Sequence, residues 1–145
     1  MFHPDVGILG PMPIASRSLL AGAAVATLVL TTGCGSQQPA AMSVATKFVQ
    51  ALGSSNAAAA CRYLAPKTKS DLESSAGKAC PAALTEEKLP SPGPVKESKT
   101  FGTMAQVRFA KDTLFVARFN SGWKVMAAGC KPQPGQPYDC QLKGG

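Results

Sequence analysis

The sequence has 145 residues, with 15 Lys or Arg against eight Asp or Glu, so its formal net charge is +7. A chain of this length has room for one small domain with a modest core. Its basic residues are scattered, with no run of five, which argues against a nucleic-acid-binding patch. The scattered basic residues fit two alternatives: attraction to anionic lipid head groups or acidic wall polymers, or an ordinary basic surface that keeps the protein soluble.

An apolar run near the N-terminus decides where the protein resides. Arg17 precedes it, residues 19–30 form it, and Thr31, Thr32, Gly33 and Cys34 follow. A run of about 12 apolar residues behind a cation is typical of a signal peptide. A membrane-spanning helix would need roughly 20. We therefore predict that residues 1–33 are a signal peptide, with Met12 as an alternative start that gives a conventional charged leader.

The residues that end at Cys34 resemble the lipobox of bacterial lipoproteins, in which small residues precede an obligatory cysteine. Gly33 and Cys34 match its last two positions, while Thr31 departs from the usual Leu. The resemblance implies a diacylglyceryl thioether on Cys34, which would become the new N-terminus on the extracytoplasmic face of the cell membrane. Two acyl chains are enough for stable anchoring. The alternative is an ordinary secreted protein in which Cys34 is buried or paired.

Removing residues 1–33 leaves 112 of the 145 residues and takes away Arg17 and Asp5, so the net charge stays +7. It also removes His3, the only histidine. The remaining chain therefore lacks the residue needed for Ser-His-Asp or Cys-His catalysis and for histidine-ligated metal. We expect residues 34–42 to be a lipid-anchored tether and residues 43–145 to be a single domain.

The first half of the domain has helical periodicity, with Ser43 and Asn56 as candidate N-caps. Helices are predicted over residues 44–52, 57–64, 67–75 and 81–89. The segment 90–94, with three prolines, then breaks the pattern. Strands are predicted over residues 95–101, 104–109, 113–119 and 123–128. Residues 129–145 are expected to form a Pro/Gly-rich tail.

Helices followed by a strand meander predict an α+β fold, with N-terminal helices packed on a four-stranded antiparallel sheet. This order resembles the NTF2-like cone and the cystatin-like helix on a sheet. Within residues 43–145, six aromatic side chains other than tyrosine are expected in the core: Phe48, Phe101, Phe109, Phe115, Phe119 and Trp123.

Four cysteines remain beyond Cys34, and in an oxidising compartment they predict two disulfides. Of the three possible connectivities, proximity in the chain favours Cys61–Cys80 and Cys130–Cys140. The second bridge would staple the C-terminal tail, which is then either a rigid recognition loop or a clasp that completes a small core. No Cys-x-x-Cys is present, so zinc and redox catalysis are not expected.

Residues 61–66 and the closing segment 128–145 resemble the matching parts of small uncharacterised lipoproteins from high-GC Gram-positive bacteria. That resemblance implies a family and no activity. Asp112 and Asp139 fall in turn contexts, and no carboxylate is predicted to be a desolvated base. We therefore expect no catalytic residue, metal or cofactor. The prediction is a lipid-anchored, non-catalytic module that binds an envelope protein or a small apolar ligand; the alternative is a cone-cavity enzyme acting on a small apolar substrate.

Overall fold

The computed structural model describes residues 37–144; Cys34 and the predicted signal peptide lie outside this range. Four helices come first: α1 (Gln37–Gly53), α2 (Ala57–Tyr63), α3 (Pro66–Ala76) and α4 (Cys80–Glu86). Five strands follow: β1 (Val95–Phe101), β2 (Met104–Phe109), β3 (Thr113–Phe119), β4 (Gly122–Gln133) and β5 (Gln136–Lys143). The α+β class is as predicted, but the sheet has five strands rather than four.

Helix α1 begins at Gln37, well ahead of the predicted cap at Ser43. Pro39 does not prevent this, because it lies in the first turn, where the backbone N–H groups have no partner within the helix. The buried residues of α1 recur at helical spacing: Ala41, Ala45, Phe48 and Ala51. Residues 37–42, which were expected to belong to the tether, are therefore helical.

The three shorter helices begin at residues that favour a helix start, which are a capping asparagine for α2 and a first-turn proline for α3 and α4. The Asn56 side chain accepts a hydrogen bond from the backbone N–H of Ala59 at 3.0 Å and so begins α2. Pro66 and Pro81 lie in the first turns of α3 and α4. A disulfide joins Cys61 in α2 to Cys80 in α4, with the two Cα atoms 6.1 Å apart, and both residues are buried.

The sheet is an antiparallel meander in the order β1-β2-β3-β4-β5, and α1 packs against one face of it. Alternate side chains of β2 and β3 point to that face, as period-two patterning requires. The most deeply buried large side chains on this side are Phe48, Leu84, Val107, Leu114, Val116 and Val125.

The segment predicted as a Pro/Gly-rich tail is instead the second half of β4 and the whole of β5. Gly135, with a φ of +68°, makes the turn between them. Pro137 is tolerated because β5 is an edge strand, where a missing N–H need not break the ladder. Cys130 and Cys140 face each other across the two strands and form the second disulfide. Both disulfides expected from the cysteine count are thus present.

The face of the sheet away from the helices carries a second, smaller apolar cluster. It is built on Ala127 and the Cys130–Cys140 disulfide, with Phe115 and Tyr138 packed against it. The two rings meet edge to face with centroids 5.1 Å apart. The expectation that all six aromatics lie in the core is therefore only partly right: Phe48, Phe109 and Trp123 are buried, whereas Phe101 and Phe119 are 63% and 38% exposed.

Candidate ligand cavity

A cavity of about 290 Å³ lies between the C-terminal half of α1, the segment 89–92 that follows α4, and the start of β3. Its wall is mainly apolar and comes from Phe48, Val49, Leu52, Leu89, Leu114 and Ala128. Gly53, Pro90, Pro92 and two polar residues, Ser91 and Asp112, complete it. A mostly apolar cavity with a few fixed polar groups is the usual form of a small-molecule site.

Asp112 is the polar centre of this wall, and it is only 8% exposed. Its Oδ1 accepts hydrogen bonds from the backbone N–H groups of Thr113 at 2.6 Å and Cys130 at 2.8 Å. Its Oδ2 accepts one from the N–H of Gly129 at 3.1 Å. A carboxylate has about four lone-pair positions, so these bonds leave acceptor capacity at Oδ2.

The backbone around Gly129 presents its amides to this carboxylate because β4 carries a bulge there. Thr113 pairs with Cys130 and Phe115 with Ala127, so β4 has one residue more than β3 over this stretch. Gly129 adopts a φ of +67°, and a Cβ atom on it would lie 3.0 Å from the Cβ of Gln141 and 3.1 Å from Leu89 Cδ2. Only glycine fits this position without displacing its neighbours.

Burial raises the pKa of the Asp112 carboxyl above its ordinary value, while the N–H groups of Gly129, Thr113 and Cys130 lower it in part. The sequence pattern did not indicate a desolvated carboxylate, whereas the Asp112 side chain is buried in the folded domain. Asp112 lies in a turn, as expected, but the turn is buried in the folded domain. A lone glycine in an apolar run, such as Gly129, indicates a bulge. This was the sequence feature from which the site could have been found.

The other candidate acids lie away from the cavity. Asp71, Glu86 and Glu97 form ion pairs with lysine or arginine on the surface. Asp139 is exposed on β5. Among residues 37–144, Asp112 is the one titratable side chain that lines the cavity, and no three acidic, histidine or cysteine side chains are grouped as a metal would need.

Comparison of the chain with protein-family models, curated proteins and solved structures returned no match. Within the part of the chain that the structure describes, no helix has the length and apolar character to cross a membrane. The site must therefore be interpreted from its own geometry.

Proposed function

We propose that this chain is a lipid-anchored protein of the extracytoplasmic face of the cell membrane, attached through Cys34. Its domain is a non-catalytic module that binds a small apolar molecule in the cavity between α1 and the sheet. The observation that carries the ligand assignment is the combination of eight apolar side chains with one buried acceptor, Asp112.

The cavity favours a ligand of defined chemistry. Its volume is close to the lower end of the range for small-molecule sites, which suits a molecule of up to three rings or a short chain. The spare acceptor capacity at Asp112 Oδ2 favours a ligand that donates a hydrogen bond. An anionic ligand is disfavoured, because it would be placed beside a buried carboxylate.

An enzyme of the NTF2-like cone type is the second candidate, and the buried Asp112 in the cavity wall favours it, because burial raises the pKa of that carboxyl and so makes the carboxylate a stronger base. The helix on a sheet with an apolar cavity between them supports that fold assignment. The three amide bonds to Asp112 favour binding, however, since a group that holds a bulge together is poorly placed to move a proton.

Lipid attachment predicts a specific mass. Protein extracted from its native membrane should have the mass of residues 34–145 plus acyl chains, less four hydrogens for the disulfides Cys61–Cys80 and Cys130–Cys140. Intact mass spectrometry with and without reduction measures both parts. A mass without acyl chains would contradict the anchor and would leave the cavity proposal standing.

Ligand binding can be tested with N-phenyl-1-naphthylamine, a neutral apolar amine that fluoresces when it leaves water and carries one N–H donor. We expect the wild-type domain to bind it, and Val49→Trp to weaken binding roughly tenfold by filling the cavity. Val44→Trp is the matched control, since Val44 is a half-buried valine of the same helix outside the cavity wall. Equal binding by both variants, or none by the wild type, would contradict the proposal.

A further inference from the structure

The large apolar side chains that the described domain leaves exposed are not spread over its surface. Phe101 is 63% exposed, Met104 44% and Phe119 38%, and Met42 in the second turn of α1 is 37% exposed. Phe101 and Met104 flank the turn between β1 and β2. Phe119 ends β3 at the turn into β4. In an antiparallel meander these two turns lie at the same end of the sheet, which we call the hairpin end.

The N-terminus of α1 meets the same end. The side-chain amide of Gln38 donates a hydrogen bond to the backbone carbonyl of Ser98 at 2.6 Å. Gln37 and Ala40 line a groove together with Phe119 and Trp123. The first turn of α1 therefore lies beside Phe119 at the hairpin end, while Phe101 and Met104 line a separate groove with Phe115.

The proposed anchor is tied closely to this end. Only Gly35 and Ser36 separate Cys34 from Gln37, the first residue of α1. Three steps of 3.8 Å between Cα atoms span at most about 11 Å. The predicted tether of residues 34–42 would have let the domain rotate freely above the membrane, whereas a connection this short would keep the hairpin end close to it.

We propose that the hairpin end is a membrane-docking surface, with Phe101, Met104 and Phe119 inserted into the interfacial region of the lipid leaflet that holds the anchor. This inference rests on the proposed acylation of Cys34. Partly inserted apolar side chains next to a lipid anchor provide the second attachment that stabilises peripheral binding.

The charge at this end fits a lipid surface. Arg118, next to Phe119, is exposed and makes none of the ion pairs found among residues 37–144. Together with the net charge of +7, it favours anionic head groups. The same charge disfavours a second copy of this chain as the occupant. Docking in this orientation would leave the ligand cavity, which lies near the opposite end of the sheet, open to the aqueous side.

The Cys34→Ser protein lacks the anchoring thiol. Its partition between water and lipid vesicles therefore measures how much the hairpin end alone contributes to membrane binding. We expect it to bind vesicles of phosphatidylcholine with 30% phosphatidylglycerol, and each of Phe101→Ser and Phe119→Ser to lower the partition coefficient roughly tenfold. Pro134→Ser, at the exposed turn between β4 and β5 on the opposite side, is the control and should change nothing. Equal partition of all four proteins would overturn the proposal.

Orientation is tested on residues 34–145 joined through the Cys34 thiol to a maleimide phospholipid in the same vesicles. When the protein is coupled to the lipid, amide hydrogen exchange should slow at residues 101–104 and 119–122. It should stay unchanged at residues 134–136. Unchanged exchange at both hairpin turns would overturn docking. Because this coupling does not depend on natural acylation, failure here is separate from failure of the anchor, which the mass of the native protein reports.

Discussion

Replacing Asp112 with alanine is expected to lower the free energy of unfolding by about 3 kcal/mol or more. The substitution removes the acceptor for the buried N–H groups of Thr113, Gly129 and Cys130 at once. Each unsatisfied buried donor costs about 1–3 kcal/mol. Urea unfolding followed by circular dichroism measures the loss, and the glycine bulge of β4 should be the first region to exchange its amide hydrogens.

Asp139→Ala is the matched control for this substitution. Asp139 is exposed on β5 and forms no salt bridge with the other described residues, so its removal should change stability by no more than about 0.5 kcal/mol. A similar, small effect of both substitutions would show that the carboxylate of Asp112 does not hold the bulge.

The raised pKa of Asp112 also makes a prediction about pH. A carboxyl whose pKa is higher in the folded chain binds its proton more tightly there, so its contribution to stability is fully present below the unfolded pKa of about 4. That contribution is lost as the pH rises through the folded pKa. The difference in free energy of unfolding between the wild type and Asp112→Asn should therefore become less favourable to the wild type as the pH rises from the unfolded pKa through the folded pKa. A difference that is constant with pH would contradict the assignment.

Removing the first disulfide is the second substitution with a large expected effect. Cys61→Ala with Cys80→Ala should lower the free energy of unfolding by about 3 kcal/mol, because the cross-link closes a loop with a sequence separation of 19 in the unfolded chain. Alanine is preferable to serine here because both positions are buried, and a serine would leave its hydroxyl there without a hydrogen-bond partner. The urea midpoint measures the loss.

Hydrogen exchange on the same double variant locates the effect. Helix α4 should lose protection before β2 and β3, because Cys80 is its first residue and the strands have their own ladder. Cys130→Ala with Cys140→Ala serves as the comparison, and it should leave α4 unchanged. A uniform loss across helices and strands in the first variant would mean that the disulfide does not secure α4 locally.

Much of the fold could be predicted from local sequence. The bounds of β1, β2 and β3 match the predicted strands, because clear turn residues separate them and their side chains alternate. Pro66 and Gly77 likewise bound α3. Residues 37–42 of α1 and the strand β5 were missed for one reason: proline was taken as a break, although a helix start and a sheet edge both tolerate it.

The site could not be predicted in the same way. Asp112 becomes a buried group only when α1 and the segment 89–92, both distant in sequence, close over it. The exposure of Phe101 is likewise set by its place at a hairpin turn that no helix covers. Composition gives the number of aromatic side chains, but the face and end of the sheet on which each one lies depends on register and tertiary packing.

The pairing of the cysteines has a consequence for how the protein is made. Both bridges join neighbours in the cysteine order, Cys61 with Cys80 and then Cys130 with Cys140, so neither loop encloses the other. If the chain crosses a membrane N-terminus first and its Cys34 is blocked by the proposed acylation, the first cysteine of each pair would meet its native partner in the next one to emerge. With Cys34 acylated, oxidation in order of appearance would yield the native bridges directly, without the slow reshuffling that takes seconds to hours.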